Sequence, residues 1–184
     1  MEAQHFLKLS QWEFKMETID AIKERRSIRH FNSEEVSVNN LKEIIEAGIL
    51  APSAHNKQPW HFIVVKDKDI KNKLSLMLKE KVEEAALTAE VIETCNTLIL
   101  VFAEIQDELM DIQSVGASIE NMILMATAKN IGSLWIGYIA KIEGELQELF
   151  KTDKKLIAAV ALGKTSVAPK PRPRKNVDEV VEWY

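Results

Sequence analysis

Two dense clusters of basic residues stand out in a 184-residue chain whose formal net charge is −4 at pH 7. The first cluster contains Arg25, Arg26 and Arg29 around Ser27. Guanidinium groups bind phosphate through paired hydrogen bonds and a serine hydroxyl adds a neutral donor, so this triplet suits a phosphate monoester. The alternative is a solvated cationic face at a helix C-terminus, where cations complement the helix dipole.

The second basic cluster lies near the end of the chain, where Arg172, Arg174 and Lys175 alternate with prolines. It is a second candidate for holding an anion. Proline-spaced basic residues also occur in plain surface arms, so this cluster alone does not decide between the two interpretations.

A polar segment, residues 51–66 (APSAHNKQPWHFIVVK), follows a helix that is predicted to begin after Ser37. Pro52 ends that helix because its ring removes a backbone donor and clashes with the preceding turn. We call residues 51–59 the polar loop. Its hydrogen-bonding side chains are Ser53, His55, Asn56, Lys57 and Gln58. A plain connection is usually shorter or richer in glycine, so the loop is either functional or a capped connection with incidental polar residues.

Composition excludes several classes of function. The apolar fraction of 46% and the charged fraction of 28% are those of an ordinary globular protein, and the length fits one domain. The acidic balance argues against general nucleic-acid or acidic-membrane binding. No apolar run is long enough for a membrane span and the N-terminus lacks a signal-peptide core, so the cytoplasm is the expected compartment.

Metal and nucleophile chemistry are not indicated. The single cysteine, Cys95, rules out an internal disulfide and any multi-cysteine metal site. It precedes an apolar run and is predicted to be a buried, unreactive thiol. The four histidines have no metal-ligand spacing, and the chain has no phosphate loop, dinucleotide fingerprint, HExxH or GxSxG. We therefore predict no metal site.

Apolar periodicity predicts helices and strands in alternation. Thr18 is the expected cap of a helix with Ile19 and Ile22 on one face, and Ser37 is the expected cap of the next helix. Buried strands are predicted at residues 60–65, 97–103, 133–139 and 156–162, and the longest helix at 111–129. Gly137 within a strand would mark a bulge or a close ligand. The pattern is that of a mixed α/β or α+β domain.

Four segments together resemble the nitroreductase family of FMN-dependent oxidoreductases. The segments are RRSIRHF (25–31), APSAHNKQPWHFIVV (51–65), GSLWIG (132–137) and GKTSVAPKPRPRK (163–175), and their order matches over the chain after Met16. The resemblance implies an α+β domain with a mostly antiparallel sheet flanked by helices. It also implies an intertwined homodimer with FMN at the subunit interface.

The resemblance also implies roles for individual residues. Arg25, Arg26 and Ser27 are expected to contact the FMN phosphate and ribityl chain, together with Arg172 and Arg174. Further expected cofactor contacts are Arg29 at the pyrimidine side of the ring, Ile136 and Gly137 beside the ring, and Pro52, Ser53, Ala54 and Asn56 from the partner subunit, with Gln58 as an addition. No catalytic side chain is assigned, because the cofactor carries the electrons.

The expected activity is NAD(P)H-dependent reduction of nitroaromatics, quinones or similar acceptors by ping-pong hydride transfer. Alternatives within the fold are a reductive dehalogenase, a flavin-fragmenting enzyme and a peptide-azoline dehydrogenase. A non-catalytic flavin-binding protein and a dimeric module without flavin are the alternatives outside enzymes. Two features depart from the family. Ala89 stands near the place of an expected asparagine, and residues 1–15, an N-terminal extension to a domain at 16–184, have no family counterpart.

Overall fold

A computed structural model describes residues 16–167 and 169–184, so the predicted extension at residues 1–15 lies outside it. A single antiparallel sheet forms the centre of this part, with strands in the spatial order β1-β2-β4-β3. The strands are β1 (Trp60–Val65), β2 (Thr97–Ala103), β3 (Gly132–Ile136) and β4 (Lys155–Gly163). The α+β class predicted from the sequence is confirmed.

Six α-helices are present in the same part of the chain. They are α1 (Thr18–Glu24), α2 (Val38–Ile49), α3 (Lys68–Lys81), α4 (Ala86–Thr94), α5 (Glu108–Ala128) and α6 (Glu143–Phe150). Side-chain oxygens of Ser37, Asp67 and Asp107 accept backbone N–H groups at the starts of α2, α3 and α5. These caps fix where the three helices begin. None of the helices within residues 16–167 and 169–184 is both long and apolar enough to cross a membrane.

Helices cover both faces of the sheet, which explains why β2 is apolar at every position except Thr97. Leu98, Leu100 and Phe102 pack toward α3, α4 and α6, whereas Ile99 and Val101 pack toward α2 and α5. A strand buried on both sides has no solvent face to alternate with, so its sequence becomes a continuous apolar run. The result is three layers with two hydrophobic cores, one on each side of the sheet.

Helices α2 and α5 approach each other closely where Gly48 lies. A Cβ atom added at Gly48 would lie 2.7 Å from Cγ of Met122 and 3.1 Å from the hydroxyl of Ser118. Ser118 is therefore part of the packing within one chain.

Several element-level predictions are wrong in detail. Thr18 is the first residue of α1 and not its cap, and Ile19 and Ile22 are 53% and 52% exposed, so α1 buries only Ala21. An amphipathic pattern shows that a helix has an apolar face but not which surface covers it. Strand β1 is an edge strand, with Val64 exposed, and is not fully buried.

The predicted strand at 133–139 is too long. Strand β3 ends at Ile136, and the chain turns at Gly137 into a 3-10 helix, Tyr138–Ile142. Gly137 therefore lies beyond the sheet, where it does not interrupt hydrogen bonding between strands.

Two buried groups lie where α4 meets β2. Lys71, which is 3% exposed, donates a hydrogen bond from Nζ to the carbonyl oxygen of Cys95, at the C-terminal end of α4. A cation at that helix end offsets the partial negative charge of the free carbonyl groups. Burial raises the pKa of the Cys95 thiol to about 11, so the thiol is protonated at neutral pH. This environment agrees with the prediction that Cys95 is buried and unreactive.

Candidate functional site

The Arg-Arg-Ser segment is held against the sheet directly after α1. Ser27 forms an isolated parallel bridge with Ser133 of β3, and Ile28 donates its backbone N–H to the Ser133 carbonyl at 2.9 Å. The Ile28 side chain is buried. Since side chains of an extended chain alternate in direction, Ser27 and Arg29 lie on the side opposite Ile28.

Arginines of both basic clusters line one cavity, although about 145 residues separate the clusters in the sequence. This first cavity has a volume of about 560 Å³. Its lining residues are Ile22, Lys23, Arg25, Arg26, Ser27, Arg29, Pro169, Lys170, Pro171, Arg172 and Arg174. The lining carries seven cationic side chains and, among the described residues, no carboxylate. The structure thus brings together every basic residue of the two clusters that was predicted to bind the cofactor.

Two of these guanidinium groups also interact with neighbouring groups of the protein. Arg26 donates from Nη1 to the carbonyl oxygens of Lys23 at 2.7 Å and of Arg25 at 2.8 Å, so it closes the C-terminal end of α1. Arg25 lies 3.9 Å from the carboxylate of Glu120 on α5. A partner that distant and half-exposed holds a guanidinium only weakly, which leaves Arg25 able to bind an anion in the cavity.

A second cavity of about 460 Å³ meets the first at Arg29, which lines both. Its other lining residues are Thr88, Leu134, Trp135, Ile136, Gly137, Tyr138 and Lys141. A Cβ atom added at Gly137 would meet no atom within 4 Å, so the space beside this backbone is open. The cavity therefore offers aromatic side chains and exposed backbone next to a guanidinium group, a combination typical of ligand sites.

The polar loop is held in an unusual backbone conformation. His55, Asn56 and Gln58 have φ angles of 52°, 55° and 50°, in the left-handed region that non-glycine residues rarely adopt. The Gln58 backbone N–H donates to the Ser53 hydroxyl at 3.0 Å, and the Ala54 N–H donates to the Ser114 hydroxyl of α5 at 3.3 Å. Strained backbone that is fixed by specific hydrogen bonds is often found at functional sites.

A carboxylate at the start of α5 supports the same region. Asp111 is buried, and its Oδ2 accepts the backbone N–H groups of Gln106 and Asp107, each at 2.8 Å. These two hydrogen bonds, with a smaller contribution from the charge of Lys57, lower the pKa of Asp111. Asp111 is therefore ionised at neutral pH. Its hydrogen bonds fix the turn at the start of α5, the helix whose Ser114 contacts the polar loop.

Within the described residues, no residue of the polar loop lines either of these two cavities. Pro52, Ser53, Ala54 and Asn56 are therefore not brought to the two cavities of their own chain. Their predicted contact, which the resemblance places in a partner subunit, stays a prediction.

Six polar or aromatic lining residues were not among the predicted cofactor contacts. Lys23 and Lys170 add charge to the first cavity, and Thr88, Trp135, Tyr138 and Lys141 line the second. Ala89, the position of the expected asparagine, is buried in the core, and its neighbour Thr88 faces the cavity instead. The signal for Trp135, Tyr138 and Lys141 was their proximity in sequence to the predicted Gly137.

Comparison with known proteins agrees with this geometry. The model of the nitroreductase family matches residues 22–164, which is most of the chain. The chain belongs to the nitroreductase family. The match covers the Arg-Arg-Ser segment, the polar loop and the end of β3, so the resemblance seen in the sequence is confirmed.

Individual members of the nitroreductase family resemble the chain over most of its length. A protein of Archaeoglobus fulgidus, provisionally named an NADH dehydrogenase/NAD(P)H nitroreductase, is 33% identical over 155 residues, which are 80% of this chain and 84% of that protein. A provisionally named nitroreductase of Desulfovibrio desulfuricans, solved in complex with FMN, has a TM-score of 0.80 and 29% identity over 92% of this chain and 98% of its own. A BluB-like flavoprotein of Clostridium difficile has a TM-score of 0.79 and 27% identity over 92% of this chain and 99% of its own.

Proposed function

We propose that this nitroreductase-family protein is an FMN-dependent NAD(P)H oxidoreductase that reduces nitroaromatics, quinones or similar acceptors. The observation that carries the proposal is the position of Arg29, which joins a strongly cationic cavity to an aromatic one. FMN has the same division, with a phosphate at one end of a ribityl chain and a planar ring at the other.

The first cavity fits the phosphate end. A phosphate monoester carries close to two negative charges at neutral pH, and seven cationic side chains surround this space. Arg25, Arg172 and Arg174 would hold the phosphate, and Ser27 would donate from its hydroxyl. Arg26, whose guanidinium also closes α1, would hold the shape of the pocket as well as adding charge.

The second cavity fits the ring end. Ile136 and Gly137 offer backbone beside open space, and Arg29 would place positive charge against the polar side of the ring. FMN held by these residues would supply the two-electron redox chemistry that links NAD(P)H to an acceptor in a ping-pong order. The protein residues need only bind, orient and shield, so no side chain is assigned as catalytic acid, base or nucleophile.

We also propose that the active form is a homodimer in which the polar loop reaches the site of the partner subunit. The loop does not line the two cavities of its own chain, and exposed apolar residues flank it on α2 and α5. They are Ile49, Leu50, Leu109, Met110 and Ile112. An exposed apolar patch beside a rigid loop is typical of a protein interface, and isologous dimers are the commonest assembly.

Reconstitution with FMN followed by anaerobic reduction tests the proposal. The purified protein is expected to retain FMN through gel filtration and to bleach when NADH or NADPH is added. A subsequent nitroaromatic or quinone is expected to restore the yellow colour. A protein that stays colourless after reconstitution would contradict flavin binding.

A flavin-binding protein without turnover would bind FMN but stay yellow with either nucleotide. Bleaching of the bound flavin by either nucleotide would therefore favour the enzyme. Steady-state rates with a panel of acceptors would then identify the preferred class.

A further inference from the structure

We propose that Lys141 makes the second cavity selective for planar aromatic acceptors that carry a negative charge. The inference rests on the proposed function and goes beyond it, because it assigns a substrate class and the residue that selects it.

The walls of the cavity are suited to an aromatic ligand. Trp135 and Tyr138 both line it and are 40% and 45% exposed, so a large part of each side chain has no partner among the described residues. Leu134 and Ile136 add apolar wall. Exposed aromatic side chains can stack on aromatic ligands, which adds to the gain from burial.

The charge of the cavity is positive. Arg29 and Lys141 are the charged members of its lining, and no carboxylate from residues 16–167 or 169–184 lines it. Arg29 lines both cavities, and the proposed cofactor engages it through the polar side of its ring. Lys141 lines only the second of these two cavities, so its ammonium group is available to the electron acceptor, the second ligand of that cavity.

Carboxylates close to Lys141 in sequence have other partners. Glu143 accepts a hydrogen bond from Gln147 at 3.1 Å, and Glu145 is paired with Lys81 at 2.5 Å. Lys141 itself makes no ion pair with any described residue. A cation without an acidic partner beside an aromatic cavity, in a chain of net charge −4, favours an anionic ligand there.

The expected preference is modest because Lys141 is exposed to solvent. Exposed ion pairs contribute at most about 1 kcal/mol, which corresponds to a roughly threefold to fivefold preference for an anionic ligand over a neutral one of the same shape. Screening by salt should reduce this preference, since the Debye length shortens from about 10 Å at 0.1 M to about 3 Å at 1 M.

Equilibrium binding of unreactive ligands provides the first test. Benzoate and benzamide have nearly the same shape and differ in charge, and their binding to the FMN-loaded dimer can be followed by the change in flavin absorbance. Wild-type protein is expected to bind benzoate more tightly. Lys141→Met keeps most of the apolar stem and should remove the preference without weakening benzamide binding. Lys73→Met, at an exposed position on α3 that lines neither cavity, is the control.

Kinetic measurements test which anion Lys141 binds. The two candidates are a negatively charged acceptor and the 2′-phosphate of NADPH. We expect Lys141→Met to raise KM for 4-nitrobenzoate by about threefold to fivefold and to leave KM for 4-nitrobenzamide unchanged. The anaerobic rates of reduction by NADH and by NADPH should keep their ratio. A loss confined to NADPH would assign the lysine to the donor and overturn the proposal.

Other outcomes are equally decisive. Equal losses for the charged and the neutral ligand would mean that Lys141 supports the cofactor or the fold, and would also overturn the proposal. A wild-type protein that turns over nitroaromatics without any charge preference would contradict this inference alone. A protein that holds no FMN, or that is not reduced by either nucleotide, would instead contradict the proposed function.

Discussion

Ile28 donates its backbone N–H to the carbonyl oxygen of Ser133 at 2.9 Å, which ties the Arg-Arg-Ser segment to β3. Three residues further along β3 lies Ile136, at the edge of the second cavity. One hydrogen bond between two extended segments therefore sets the spacing between the proposed phosphate contacts and the proposed ring contacts. A shift at this bridge would move the two ends of the site relative to each other.

Gly132→Ala tests the importance of that spacing. A Cβ atom at Gly132 would lie 3.1 Å from the Ile28 side chain and 3.2 Å from the carbonyl oxygen of Gly163, and the backbone atom cannot yield easily. We expect a loss of about 1–3 kcal/mol in unfolding free energy, as for other overpacked sites, together with weaker FMN binding. Urea unfolding and an FMN fluorescence titration would measure the two effects.

Gly144→Ala is the matched control, because an added Cβ there meets no atom within 4 Å. It should leave FMN affinity unchanged and stability unchanged or slightly higher, since alanine favours helix. Identical FMN affinity in Gly132→Ala and wild-type protein would contradict the role of the bridge.

Arg25→Ala tests the phosphate site. Removing one charged donor should weaken FMN binding by about 1.5–3 kcal/mol, the scale of a charge-assisted hydrogen bond. The dissociation constant would come from quenching of flavin fluorescence on binding. Glu120→Gln is the control: it removes the carboxylate 3.9 Å from Arg25 and should leave FMN affinity equal or higher. Unchanged affinity in Arg25→Ala would remove this residue from the site.

The elements of the fold could be predicted from the sequence because most of them pack against the two cores. The run at β2 and the cap Ser37 are local signals, and the structure confirms a strand and a helix start there. Ile19 and Ile22 show the limit of such signals. Their spacing predicts an apolar face, but the pattern is the same whether the chain itself or another subunit covers it.

The site was predictable only in part for a similar reason. Sequence spacing alone does not predict that Arg25 and Arg172 line one cavity. The resemblance to a family was needed to group them. Lys141 carries no motif; it faces the second cavity because the chain turns at Gly137 into a 3-10 helix. Such turns depend on tertiary packing, which single-sequence patterns do not contain.

The pH dependence of stability should reveal the role of Asp111. Hydrogen bonds from the Gln106 and Asp107 N–H groups lower its pKa, so the folded state binds its proton more weakly than the unfolded state does. The stabilisation is therefore present above the unfolded pKa of about 3.9 and is lost as the pH falls through the folded-state value. Asp111→Asn should unfold at a lower urea concentration than wild-type protein at pH 7.

That difference should begin to narrow as the pH falls below the unfolded pKa, and it should keep narrowing as the pH falls through the lower folded-state pKa, where the wild-type carboxyl becomes neutral as well. Asp153→Asn, at an exposed position, is the control and should track wild-type protein throughout. A difference between Asp111→Asn and wild-type protein that stays constant from pH 7 down to the lowest pH at which both proteins fold would show that ionisation of Asp111 is not what stabilises the turn.

Subunit mixing tests whether the polar loop acts across a dimer interface. Ser53→Trp should disturb FMN binding because the Ser53 hydroxyl accepts the Gln58 N–H and a bulky side chain cannot replace it. Arg25→Ala should weaken binding through the phosphate.

If each site combines Arg25 of one subunit with the loop of the other, a heterodimer of the two variants concentrates both defects in one site and leaves the second site intact. After full exchange of an equal mixture, about a quarter of all sites should bind FMN with wild-type affinity. The titration would then show a tight phase that neither variant has alone. Exchange itself would be verified with tagged subunits, and exchange without a tight phase would show that the loop acts within its own chain.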